Sequence, residues 1–430
     1  MTRPAVIHRA LPADAFMHLG PNWFAAVMGT GIIANAAVTL PVQIAGQRGF
    51  ALLVWLGAGL LLTLLLAATA THWVRHPAQA RSHVSHPVMS HFYGAPPMAM
   101  LTVGAGALLV GKDLIGLRAA VDLDWLLWIA GTVTGLLTAA IVPYYAFTRH
   151  DNKPESAFGG WLMPIVPPMV SASTGALLVP YAAAGQARQT LLLGCYVMFG
   201  LSLFASIIVI TLIWARLAQH KVGPTAAVPT LWIVLGPLGQ SITAAGLMGN
   251  AATTVLPAPY AGVAAALALF YGLATWGFAL LWLAFATAIT VTTVRQHLPF
   301  SLTWWSFTFP VGTLVTGTSG LAARTHLDLF IVAATALYVF LLAAWATVLT
   351  RTTRGAANGR LLGGASAAAE HPAQERTACV RLGGVPRAPL GRGNPTHHLL
   401  HVLAAASPTR EPTLLAHHCP AHVMSALSAR

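Results

Sequence analysis

The sequence predicts an all-α membrane protein, with ten transmembrane helices arranged as five parallel helical hairpins around a central pore. Three observations carry this. Of 430 residues, 56% are hydrophobic and 8% charged, against roughly 25% charged in an ordinary soluble domain. Five prolines, Pro21, Pro97, Pro168, Pro237 and Pro310, recur at gaps of 76, 71, 69 and 73 residues. The apolar spans also alternate in kind, one rich in small and hydroxyl residues, the next bulky.

Apolar runs near the length of about 20 residues that crosses a bilayer fall at 21–41, 49–71, 93–111, 125–148, 159–183, 190–215, 227–249, 260–292, 301–323 and 327–350. The first opens on Pro21, where a proline is well tolerated as a helix start. The second is Leu-rich, LLVWLGAGLLLTLLLAA, and the third carries PPMAMLTVGAG. The fourth holds Pro143, the only proline in an even span. The fifth contains PPMVSASTG, the sixth LLLGCYVMFGLSLF and the seventh GPLGQSITAAG. After the proline-free eighth come FPVGTLVTGTSG in the ninth and FIVAATALYVFLLAAW in the tenth. Small residues let helices approach closely, and Ser and Thr can bond backbone groups that a proline releases. Odd helices inside and even helices outside satisfy both compositions. Pro168, Pro237 and Pro310 are expected well inside their spans, breaking helices that lipid could not accommodate.

A two-helix unit returns to the side it left, so five copies insert with one orientation; inverted repeats need an odd number of helices each. Nine basic residues (Arg3, Arg9, Arg75, Arg81, Arg149, Lys153, Arg216, Lys221, Arg295) lie on the side of the N-terminus. Five (Arg48, Lys112, Arg118, Arg188, Arg324) lie on the other. The asymmetry puts both termini in the cytoplasm of a cell inner membrane. The opening stretch is too polar for a signal core, so no cleavable leader is expected. Residues 1–20 are read as a cytoplasmic segment, 21–350 as the bundle, and 351–430 as a disordered cytoplasmic tail. That tail resembles an out-of-frame product, and its His397, His398, His417, His418 and Cys419 match no metal-ligand spacing.

All seven acidic residues before position 351 (Asp14, Asp113, Asp122, Asp124, Asp151, Glu155, Asp328) fall in predicted loops or at span ends. With no paired functional groups on the helices, acid–base and nucleophilic catalysis are excluded, and neither a cofactor nor a nucleic-acid partner is expected. A pathway without charge can still favour anions through helix N-termini and hydroxyl donors. Candidate donors are Thr30, Ser171, Ser173, Thr174, Gln240, Ser241, Thr243 and Thr313, beside Gly31, Pro97, Pro168 and Pro237 as further lining positions. The loop after the second span carries Arg75, Arg81 and five histidines, His72, His76, His83, His86 and His91. It reads as a basic surface that gathers anions or contacts anionic lipid; a metal-binding membrane sensor is the alternative of another class.

The stretches PNWFAAVMGTGI at 21–32, HPVMSHFYGAPPM at 86–98, MPIVPPMVSASTGALL at 163–178 and WWSFTFPVGT at 304–313 resemble the tellurite-resistance/dicarboxylate transporter family. That family includes malate and sulfite permeases and plant slow anion channels. The resemblance covers roughly residues 15–350. It implies five helical hairpins around a pore, a homotrimer, and a pore plugged by an aromatic residue of the ninth helix. Carried onto this chain, the plug is Phe309, immediately before Pro310, and Phe24 matches a second pore-facing aromatic. Met169 and Val170 stand where the family has a further Phe, a departure from the pattern. The expected function is transport of a small anion, first a C4-dicarboxylate such as malate. The alternatives are a chloride or nitrate channel, or sulfite export.

Overall fold

The computed structural model describes residues 16–358 and 361. Residues 351–357, expected to open the disordered tail, instead continue the last helix; the rest of that tail apart from 358 and 361, its histidines and residues 1–15 lie outside the described residues. Everything regular among the described residues is helical, with no strand. The principal helices are α1 (Phe24–Thr39), α2 (Gln47–Arg75), α3 (Ala95–Gly106), α4 (Leu117–Thr148) and α5 (Pro167–Leu178). They are followed by α6 (Gln186–His220), α7 (Leu235–Val255), α8 (Tyr260–Arg295), α9 (Phe309–Thr325) and α10 (Asp328–Ala357).

Two populations separate by burial. Helices α1, α3, α5, α7 and α9 are buried on nearly every face. The even helices turn most of their length outward, with Leu53, Leu60, Phe147, Val197, Phe204, Phe270 and Val332 exposed. Such a belt of large apolar groups is costly in water and neutral against lipid tails. Helix α1 packs on α3, α3 on α5, α5 on α7, α7 on α9, and α9 back on α1. Each odd helix also packs on the even helix that follows it. Seven segments are long and apolar enough to cross a membrane: 47–75, 89–115, 117–148, 186–220, 225–255, 260–295 and 328–357. The other three, α1, α5 and α9, have 16, 12 and 17 residues. Each is preceded by a 3₁₀ segment, Pro21–Trp23, Gly159–Leu162 and Leu302–Phe307 respectively.

The prolines do not bend continuous α-helices, which corrects the expected geometry. Pro97, Pro168, Pro237 and Pro310 are the third, second, third and second residues of their α-helices. A proline in the first turn lacks an N–H that has no intrahelical partner, so it begins an α-helix at little cost. At Pro97, Pro237 and Pro310 the break is the change from 3₁₀ to α, and before Pro168 a turn over 163–166 lies between the two. Pro21, in turn, starts the 3₁₀ turn that leads into α1.

Candidate functional site

The five inner helices enclose a cavity of about 390 Å³, within the range of roughly 300–1,000 Å³ usual for small-molecule sites. Every inner helix contributes to its wall: Asn35 and Thr39 from α1, Thr102 from α3, Ser173 and Thr174 from α5, Gln240, Thr243 and Asn250 from α7, Thr316, Ser319 and Arg324 from α9. Phe309 forms part of the same wall. It also borders a second space, of about 10 Å³, with Met28, Met98, Met163, Val166, Ile233, Gly236, Pro237 and Pro310. That space barely admits one water, and its lining is apolar. The N-terminal turns of the inner helices meet at this constriction, and their later turns line the wide cavity. Among the described residues, Phe309, 2% exposed, is the one that borders both spaces.

The cavity's polar groups are largely tied together. Gln240 Nε2 donates to Ser173 Oγ, joining α7 to α5. Thr243 and Thr316 share a hydrogen bond of 2.8 Å between α7 and α9. Asn35 Nδ2 donates to Thr102 O at 3.0 Å. Two buried wall atoms, Asn35 Oδ1 and Ser319 Oγ, find no partner among the described residues.

Of the positions expected to line a pathway, Ser173, Gln240 and Phe309 lie on the wide cavity, with Thr174 and Thr243 beside them. Pro237 and Pro310 border the constriction. The rest face elsewhere. Thr30 accepts a 3.2 Å bond from Trp345 Nε1 on α10, and Gly31 packs toward Thr102 and Ala58. Phe24 is buried in the hydrophobic core at the start of α1. Pro97 lies against Gly131 and Gly135 of α4. Pro168 is buried in the first turn of α5. Ser171 O accepts from Trp128 Nε1 at 2.9 Å, while its hydroxyl points to neither space. Ser241 donates to Leu238 O at 2.8 Å within its own helix. Thr313 donates to Pro310 O at 2.7 Å and packs α9 onto α7.

Asn35, Thr102, Asn250, Thr316, Ser319 and Arg324 are wall residues that the sequence reading omitted. Their signal was helical spacing: Gln240, Thr243, Gly246 and Asn250 fall three or four apart, on one face of α7. Two charged residues are more embedded than expected. Arg324, expected on the outer side just past the ninth span, is the next-to-last residue of α9 and stands on the cavity wall. Asp124, expected at a span end, is the eighth residue of α4, because that helix begins at Leu117. It is fully buried against Gly104, where a Cβ would come within 2.7 Å of Oδ1. Neither of its oxygens has a partner among the described residues.

The histidine loop forms a separate cluster. Pro77–Ser85 is a short helix, the His72 and His83 rings stack at 5.4 Å, and His72 Nδ1 donates to Phe16 O at 2.8 Å. Among the described residues, no three His, Cys, Asp or Glu side chains are arranged to hold a metal. Burial, and then repulsion from His72, His86 and His18, push His83 down to about 4 from 6.5. The folded state therefore keeps this ring neutral where the unfolded chain takes a proton. Its contribution is fully present above pH 6.5 and diminishes as pH falls toward 4. The thermal midpoint is expected to drop over that window, and His83→Gln to flatten the drop; equal pH profiles for the two proteins would refute the assignment.

A sulfite efflux pump of Arthroderma otae is 29% identical over 344 residues, 79% of this chain and 91% of its own length. An uncharacterized transporter of Methanocaldococcus jannaschii is 27% identical over 342 residues, covering 79% and 95%. The malic acid transport protein of Schizosaccharomyces pombe is 22% identical over 311 residues, 68% of each chain. The family described as voltage-dependent anion channels matches residues 18–353. With that match running through all ten principal helices and the cavity they enclose, the chain belongs to the voltage-dependent anion channel family.

Proposed function

We propose that the protein passes small anions across a membrane along the axis of its inner helices, with sulfite and a C4-dicarboxylate such as malate as the first substrates to test. The observation that carries this reading is the donor-lined cavity of about 390 Å³, stopped at one end by Phe309. In this reading all ten helices cross the bilayer as five parallel hairpins, α1, α5 and α9 reaching across together with their 3₁₀ segments. The basic-residue asymmetry supports an inner-membrane orientation with both termini in the cytoplasm. The wide cavity then opens outward, and Phe309 and the apolar constriction close the cytoplasmic side. Phe309 is the gate, Pro310 fixes the backbone beside it, and Ser173, Gln240, Thr243 and Thr316 supply hydrogen bonds that replace part of the anion's water.

Sulfite stands level with malate because the similar sulfite pump is covered over 91% of its length and the malic acid protein over 68%. A chloride or nitrate channel is the second reading, favoured by the family's description. The homotrimer belongs to the proposal as well, and the mass of the detergent-solubilised particle tests it. Purified protein in liposomes is expected to release sulfite or malate, with a rate that follows a pH gradient if protonated substrate is carried. Large chloride or nitrate currents without sulfite or malate flux would replace this reading with the channel.

A further inference from the structure

The cavity wall has one feature that hydroxyls and helix dipoles do not account for. Among the described residues, Arg324 is the only charged side chain on it. Phe309 and Arg324 are the first and next-to-last residues of α9, and both lie on the wall. At 1.5 Å rise per residue they stand about 22 Å apart along the helix. The guanidinium therefore sits at the opposite end of the cavity from the gate.

Arg324 is held by neutral acceptors. Its Nη2 donates to Gly246 O and, at 2.6 Å, to Asn250 Oδ1, both on α7. Gly249 leaves room for it: a Cβ there would lie 3.3 Å from Nη2 and 2.9 Å from Ala268 Cβ. The single ion pair among the described residues joins Arg48 to Asp113, so no carboxylate neutralises Arg324. A guanidinium keeps its charge at any physiological pH. Carbonyl and amide oxygens fix its position while leaving its unit charge facing the cavity. Between it and the gate, Gln240, Thr243 and Thr316 contribute amide and hydroxyl groups to the same wall.

We propose that Arg324 is the charge-selecting residue of the pathway: it captures a small anion at the open end of the cavity and holds it at the head of the path toward Phe309. The ligand class is a small anion presenting one charged oxygen, such as hydrogensulfite or one carboxylate of a dicarboxylate. A lone guanidinium balances one such charge, and its long-range field raises the local anion concentration. This inference rests on the anion-transport reading and adds the residue that makes the pathway prefer anions.

The test is sulfite uptake into proteoliposomes at low and high ionic strength, for wild type, Arg324→Gln and Arg324→Lys. Arg324→Gln is expected to raise KM on the order of tenfold, the lower end of electrostatic steering, and to remove most of the rise in KM that added inert salt causes in wild type. Arg324→Lys keeps the charge, so it retains the salt dependence at an intermediate KM. A purely structural role predicts the reverse: a lower thermal midpoint and maximal rate, with salt dependence unchanged. Measurable wild-type uptake with the same KM and salt response in Arg324→Gln would overturn the inference and leave anion transport standing. If Arg324→Gln does not fold, a wild-type KM that ignores ionic strength overturns it equally. Wild-type protein that carries no sulfite, malate, chloride or nitrate would instead defeat the transport reading, and this one with it.

Discussion

Phe309→Ala is expected to raise anion flux by on the order of tenfold or more, because it truncates the residue that borders both the wide cavity and the constriction. The closed side is a space of about 10 Å³ lined by apolar groups and thioethers, which holds no continuous file of water. Taking away the phenyl ring joins it to the cavity of about 390 Å³. An anion entering from the cavity then meets a wetted passage rather than a dry one. A buried Phe→Ala change commonly costs about 3–5 kcal/mol. Here the vacated space opens onto a cavity with polar walls, so water fills part of it and the cost falls toward the lower figure. Flux per folded protein in liposomes, normalised to monodisperse protein, is the measurement. Phe309→Leu should fall between wild type and Ala. Unchanged or lower flux in a well-folded Phe309→Ala protein contradicts the gate.

Gly94→Ala is expected to prevent accumulation of folded protein. A Cβ at Gly94 would be driven into the carbonyl of Met163 and the nitrogen of Pro164, which are backbone atoms. A side chain can rotate away from such an overlap; a carbonyl just before Pro167 and the start of α5 cannot move without displacing the helix. Gly159→Ala meets Thr230 O in the same way. Overpacking usually costs about 1–3 kcal/mol, and contact with backbone on both sides puts these two at or beyond the top of that range. Gly49→Ala is the control, since its Cβ would meet nothing within 4 Å. The yield of monodisperse protein and its thermal midpoint measure the effect. A Gly94→Ala protein as stable as Gly49→Ala would contradict the packing described here.

The inner and outer populations of helices were legible in the residues because the proline interval, and the contrast between PPMVSASTG and LLLGCYVMFGLSLF, reflect what each helix packs against. The face each inner helix turns to the cavity was much less legible. In a water-soluble helix the polar stripe marks the outer face, but an inner membrane helix has protein on all sides, and apolar residues distinguish neither lipid from protein nor one neighbour from another. Thr30 and Ser171 look like pore donors by type, yet Thr30 meets Trp345 and the Ser171 hydroxyl faces neither space. The spacing of Gln240, Thr243, Gly246 and Asn250, three or four apart, held the information, and it emerges only when such residues are compared along one helix. Arg324 was hidden for another reason. Being one residue from the end of α9, it reads as a loop charge, whereas α7 draws its guanidinium onto the wall through Gly246 and Asn250. Asp124 was misplaced because Leu117–Asp124 is too polar to look membrane-embedded, although it forms the first two turns of α4.

The most direct test of the central claim, that one pathway runs from Arg324 to Phe309 and is closed there, is thiol accessibility on the two sides of the ring. In protein with Cys195, Cys379 and Cys419 replaced by Ser, Gly320→Cys or Met98→Cys is exposed to a negatively charged methanethiosulfonate from the cavity side. Gly320 lies on the wide cavity, where a Cβ would meet nothing within 4 Å, and Met98 lies on the constriction. The account predicts rapid modification of Gly320→Cys, which blocks flux, and none of Met98→Cys until Phe309→Ala is added. Equal modification of both positions with Phe309 in place would contradict it.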